Sequence, residues 1–214
     1  MTGGDRSELL GLEFERAGMS TIVARCLAWC HEAPATHIVA TANASHLCLM
    51  RRDPALRAAC QAADLAVADG MSVVWALRLL GRPVRERIAG IDLMTQLLEA
   101  GSRDRLRVYF LGARPEVVER LLAHCRTRYP GLDIAGSHDG YFGAADEAAI
   151  VADIRARAPH FLFIGMPSPF KEVFAEQYRG QLRVPVVIGV GGSFDVLAGV
   201  IARAPAAVQS LGFE

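Results

Sequence analysis

The sequence predicts an α/β fold: a Rossmann-like, mostly parallel sheet with helices on both faces, in a single domain over residues 1–214. Three observations predict it. Short apolar segments alternate with amphipathic ones from residue 20 onward. The apolar segments are continuous rather than alternating, as strands buried on both faces are. Glycine, asparagine and aspartate cluster just after most of these segments, where strands would end.

The elements follow in order. Ser20 is placed to cap a helix over 21–31, with Ile22, Val23, Cys26, Leu27 and Cys30 on one face. HIVAT at 37–41 reads as a strand, and Asp53-Pro54 starts a helix running through 63. LAVA at 65–68 is a strand ending on Asp69-Gly70. A helix over 72–80 stops at Gly81-Arg82-Pro83, and one over 91–100 ends on Gly101. RVYFL at 107–111 is a strand. A long helix over 115–129 is stopped by Pro130-Gly131, and a strand spans 132–136. A helix over 146–158 halts before Pro159, and HFLFI at 160–164 is a strand. A helix over 170–179, a strand over 184–190 and a short helix over 194–199 complete the pattern. There is no linker, low-complexity segment or internal repeat.

Composition narrows the function. Hydrophobic residues make up 52% of the 214 and the formal net charge is zero. A sizeable core is possible, and no global basic field draws nucleic acid. The five cysteines, Cys26, Cys30, Cys48, Cys60 and Cys125, show neither CxxC nor zinc-type spacing and suit a reducing compartment. Residues 1–12 are too polar for a signal peptide, and no apolar run approaches the roughly 18–20 residues of a membrane span. A cytoplasmic protein is expected. Of the 23 basic residues only Lys171 is a lysine.

In open parallel sheets ligands bind beyond the carboxyl ends of the strands. The segments there are 41–45, 69–72, 112–114, 138–141, 165–172 and 191–195, and nearly every polar or glycine-rich cluster of the chain falls in one of them. Asp69 can serve as a general base or as a turn residue. Thr41 and Asn43 offer hydroxyl and amide groups to sugar or phosphate oxygens, or turn chemistry. Arg87 can grip a diphosphate, and Asp92 can bind substrate or cap the next helix. Gly191 and Gly192 sit in GxGG, which allows backbone amides close to a phosphate but lacks the dinucleotide fingerprint; Asp195 can accept from a ribose or base. Lys171 lies unfavourably in the first turn of its helix, which points to a ligand contact or to a lysine left in solvent, with Glu172 beside it. His138-Asp139 makes only a weak metal pair, and no metal is expected.

These segments together resemble one family. The ordered set is TANASH (41–46), ADLAVADGMSVVWALRLLG (63–81), ERIAGIDLM (86–94), YFLGARP (109–115), YPGLDIAGSHDGYF (129–142), GMPSPFKE (165–172), IGVGGSFDVLAG (188–199) and RAP (203–205). It is similar to the WecG/TagA/CpsF glycosyltransferases, family 26, over about residues 36–214. The resemblance implies an inverting, metal-free transfer of a sugar from a UDP-sugar to a polyprenyl-diphosphate-linked saccharide in bacterial surface polysaccharide synthesis, such as teichoic acid linkage units or exopolysaccharide. No cofactor is implied, the UDP-sugar being a substrate. It further implies Asp69 as base, Thr41 and Asn43 at the donor, Arg87 at the diphosphate or acceptor, and the 191–195 segment at the nucleotide. Location at the inner face of the plasma membrane and homo-oligomerisation are expected.

Two departures stand out. The family often has Pro-Lys-Gln-Glu where this chain has Pro169-Phe170-Lys171-Glu172, so Lys171 replaces a neutral amide; a contact with a donor carboxylate or added grip on phosphate is one reading. Family chains usually continue into an Arg-rich tail that docks to the membrane, whereas this one ends at Leu211-Gly212-Phe213-Glu214, so truncation with loss of that C-terminal appendage is expected. The rival readings are a non-catalytic nucleotide-binding α/β protein and, disfavoured by the missing GxGxxG, an oxidoreductase.

Overall fold

The computed structural model describes residues 6–32 and 35–203. A two-stranded hairpin comes first, β1 (Arg6–Leu9) with β2 (Leu12–Glu15). Leu10 and Gly11 turn it with φ of 52° and 84°, the left-handed pair that a two-residue hairpin loop needs. Leu9, Leu12 and Phe14 point inward, and the Gln61 amide donates to the Gly11 carbonyl at 2.7 Å. This hairpin is not among the sequence-predicted elements: its strands are four residues long and its turn lacks the Asn-Gly signature.

The remaining strands form one parallel sheet. They are β3 (His37–Ala42), β4 (Leu65–Ala68), β5 (Arg107–Gly112), β6 (Asp133–His138), β7 (Phe161–Gly165) and β8 (Val186–Gly189), in spatial order β4-β3-β8-β7-β5-β6. Side chains alternate between two faces, with one register shift where β5 pairs with β6. On one face Val39, Val67, Val108, Phe110, Phe163 and Ile188 pack beneath α1 (Met19–Trp29), α5 (Gly90–Asp104), α6 (Pro115–Arg128) and α10 (Ser193–Leu197). The other face splits into two clusters. Ala40, Ala42, Ala66 and Ala68 meet α2 (Ala44–Met50), α3 (Pro54–Ala62), α4 (Met71–Leu79) and the hairpin. Ile38, Tyr109, Leu111, Leu162, Ile164 and Val187 meet α7 (Ala144–Arg157), α8 (Phe170–Gln177) and α9 (Arg179–Leu182). The alanines on β3 and β4 let α2–α4 and the hairpin lie close to that edge of the sheet.

Local chemistry moves several expected boundaries. Ser20 does not cap α1: Gly18 is the N-cap residue, and the Glu86 carboxylate accepts from the Met19 N–H at 2.8 Å. A Cβ on Gly18 would lie 2.5 Å from Glu86 Oε1, so a side chain there would displace that cap. Helix α5 does not stop at Gly101, which is buried inside it; the helix ends at Asp104, with Arg105 in the left-handed region as its cap. Asp53 caps α3 as expected, accepting from the Leu56 N–H at 3.0 Å. Buried Cys26, Cys60 and Cys125, and half-buried Cys30, have thiols pushed up to about 12 by burial, and act as small core residues.

Candidate active site

The site is built where the connections leaving neighbouring strands diverge to opposite faces of the sheet. The chain leaves β3 through α2 and α3 on one face toward β4, whereas α10 follows β8 on the opposite face. Adjacent strands whose exits diverge leave a crevice at their carboxyl ends. Thr41 closes its floor, donating from Oγ1 to the Gly189 carbonyl at 2.8 Å and so tying β3 to β8.

Asp69 follows β4 directly. Burial raises its carboxyl to about 6, against the opposing pull of a hydrogen bond from the Gly90 N–H and the charges of Arg87, His46 and Lys171. Gly90 opens the 15-residue helix α5, so Asp69 faces a helix N-terminus. A Cβ on Gly90 would sit 3.4 Å from Asp69 Oδ2 and 3.5 Å from Thr41 Oγ1, which places Asp69, Thr41 and the start of α5 around one point. A carboxyl that titrates near 6 is ionised at neutral pH yet retains more basicity than an ordinary aspartate.

A cleft of about 470 Å³ lies over the ends of β5, β7 and β8, lined by Arg114, Tyr141, Met166, Gly191, Gly192 and Asp195 among others. Arg114 reaches Asp195 at 3.4 Å. A Cβ on Gly165 would overlap the Phe194 ring, so this glycine lets α10 close against the end of β7. Asp69, just past the end of β4, lies two strands across from β8, about 10 Å between backbones at the usual strand spacing.

The model of the glycosyl transferase WecG/TagA/CpsF family matches residues 7–214. The chain belongs to this family. A Bacillus spizizenii protein named N-acetylglucosaminyldiphosphoundecaprenol N-acetyl-beta-D-mannosaminyltransferase is 36% identical over 154 residues, 72% of this chain and 59% of that protein. A Staphylococcus aureus (strain NCTC 8325) protein of the same name is 32% identical over 208 residues, 97% of this chain and 81% of that protein. The chain thus spans less than two thirds of the length of the Bacillus relative.

Within this WecG/TagA/CpsF fold the expected site residues divide into groups. Asp69, Thr41, Asn43 and half-buried Arg87 gather at the β3–β4 end, and Gly191, Gly192 and Asp195 line the cleft at the β8 end. Asp92 is not the N-cap residue of α5: Ala89 holds that position without a side-chain bond, and the Asp92 carboxylate, in the first turn, takes two bonds from Arg203, at 2.6 and 2.8 Å. The expectation that Lys171 meets a ligand gives way to a different finding. Its side chain is 4% exposed, and its Nζ donates to Ser168 Oγ at 2.7 Å and to Glu172. The helix-dipole misfit is answered inside the protein, by a neighbouring carboxylate. Burial alone would raise the Glu172 carboxyl, but His46, Lys171 and Ser168 hold it down at about 2. His138 and Asp139 do turn work: the Tyr141 N–H donates to Asp139 Oδ1 at 2.8 Å and His138 Nδ1 to the Asp139 carbonyl at 2.7 Å. Among the described residues no three His, Cys, Asp or Glu side chains gather as metal ligands do.

His46, Ser168 and Arg114 are absent from the sequence-predicted set. Each lies inside a quoted motif or strand-end segment, so position flagged them, but their partners lie 81 to 126 residues away in the chain. The expected truncation after Leu211–Glu214, with its tail, lies outside the described residues.

Proposed function

We propose that this chain transfers an N-acetylhexosaminyl group from a UDP-sugar to a polyprenyl-diphosphate-linked saccharide, with inversion and without a metal or other cofactor. The observation that carries the reading is Asp69: a carboxyl raised to about 6, at the start of α5 and within the field of Arg87. The names of the Bacillus and Staphylococcus relatives support N-acetylmannosamine as the sugar and diphosphoundecaprenol-linked N-acetylglucosamine as the acceptor.

In this reading Asp69 takes the proton of the acceptor hydroxyl as its oxygen bonds to the anomeric carbon. The bond from that carbon to the diphosphate breaks on the opposite side, and its electron pair leaves with UDP. Arg87 and the Gly191-Gly192 backbone stabilise the charge that develops on the diphosphate, and Asp195 and Tyr141 hold the nucleoside end. The roughly 10 Å between Asp69 and the β8 cleft suits a donor whose sugar and nucleoside lie at opposite ends of a diphosphate. Among the described residues no helix is long and apolar enough to cross a membrane, so the chain is read as meeting its lipid-linked acceptor from the membrane surface.

Calorimetric titration of UDP and UDP-N-acetylmannosamine into the wild type and Asp69→Asn tests the assignment of roles. Both proteins should bind UDP within about threefold of each other, because the base touches the acceptor proton rather than the nucleotide. Loss of UDP binding in Asp69→Asn would make Asp69 a binding residue instead.

A further inference from the structure

We propose that His46 is a positioning residue: it fixes the side-chain amide of Asn43, and Lys171, Ser168 and Glu172 hold it in place to do so. The inference rests on the reading that Asn43 faces the sugar-nucleotide donor.

Donor and acceptor roles here follow from chemistry alone. The His46 backbone N–H can only donate, so the Asn43 atom 3.2 Å away is the carbonyl oxygen Oδ1. His46 Nδ1 lies 3.0 Å from that same oxygen and therefore carries its proton there. Both lone pairs of Oδ1 are thus occupied, which leaves the Nδ2 hydrogens as the remaining donors of the amide. The side chain lies beside Gly70, whose Cβ position would be 3.3 Å from Asn43 Cβ, next to Asp69.

The far side of the ring is held as firmly. His46 Nε2 is 2.9 Å from Lys171 Nζ, 2.7 Å from Ser168 Oγ and 3.1 Å from Glu172 Oε1. The Lys171 ammonium has three hydrogens and three acceptors within reach, in Ser168, Glu172 and His46. With a neutral ring, Nε2 accepts from the ammonium; with a protonated ring, it donates to Glu172. In both states Nδ1 keeps its proton and Asn43 keeps its orientation. The buried ion pair therefore acts on Asn43 at the β3–β4 end of the site through one imidazole, as supporting partners fix the tautomer of a metal-ligating histidine. This gives the lone lysine of the chain a task that needs no contact with the donor.

Two substitutions separate the halves of the ring. His46→Asn puts an amide at the level of Nδ1 and keeps the bond to Asn43. His46→Gln puts it at the level of Nε2 and keeps only the bonds to the buried cluster. UDP-N-acetylmannosamine affinity is measured by calorimetry for the wild type, for each variant, and for His46→Gln in an Asn43→Ala background, with melting temperatures alongside. His46→Gln should weaken binding about tenfold, the worth of one hydrogen bond, and His46→Asn should recover most of it. In the Asn43→Ala background His46→Gln should add no further loss, because the two residues act as a unit. Wild-type affinity in His46→Gln, equal losses in both variants, or additive losses with Asn43→Ala would each overturn the proposal. A melting shift without that coupling would make His46 a packing residue only. A wild type that fails to bind the donor at all would instead remove the donor reading, and this inference with it.

Discussion

The carboxyls of half-buried Asp69 and buried Glu172 are driven in opposite directions, and pH reads them separately. Asp69 is raised from an ordinary 3.8 to about 6. The folded chain therefore binds more protons than the unfolded one between those values, and this group's contribution to stability falls as pH rises through that window. Asp69→Asn removes the penalty, so its melting temperature at pH 7.5, measured by calorimetry, should lie above the wild type's while its transfer rate falls by about 10²–10⁴. Glu172 is lowered from 4.5 to about 2. Its contribution is present above 4.5 and is lost as pH falls toward 2. Glu172→Gln leaves the Lys171 ammonium buried beside a neutral amide, and urea unfolding at pH 7 should show a loss of about 3–5 kcal/mol.

At the scale of elements, the loop between α4 and α5 does three things at once. Glu86 caps α1, Arg87 faces Asp69, and the Ile88 N–H donates to the Ala68 carbonyl at 2.9 Å. Glu86→Ala should cost about 1 kcal/mol as the α1 cap is lost, read as a lower urea midpoint with unchanged slope. The strands β3, β4, β5, β7 and β8 were legible in the sequence because each is a continuous apolar run stopped by glycine or a polar turn. The hairpin and α2 were not: four-residue strands and a seven-residue helix carry too few periods to register. Gly101 misled because its burial against Leu132, not its helix-breaking tendency, decides its place in α5. Ser20 misled because the cap of α1 comes from Glu86, 67 residues along the chain.

For the whole molecule, the parallel order of six strands brings segments from residue 41 to residue 195 onto one edge. That convergence made the strand-end positions of Asp69, Thr41, Asn43, Gly191, Gly192 and Asp195 legible, since the strand-end rule needs only the topology. The cluster of half-buried His46 and Ser168 with buried Lys171 and Glu172 was not legible, because charge neutralisation depends on which side chains meet between α2 and the start of α8. We read this assembly as a base-assisted sugar transferase. That role is tested most directly by the pH dependence of UDP release from UDP-N-acetylmannosamine, with polyprenyl-diphosphate-linked N-acetylglucosamine as acceptor, for the wild type and Asp69→Asn. The expected result is an acceptor-dependent rate that climbs with pH and is half-maximal near the Asp69 value of about 6, and a variant slower by about 10²–10⁴ that still binds UDP. A wild type that binds UDP yet transfers no sugar, or an Asp69→Asn variant that matches its rate and pH profile, would contradict it.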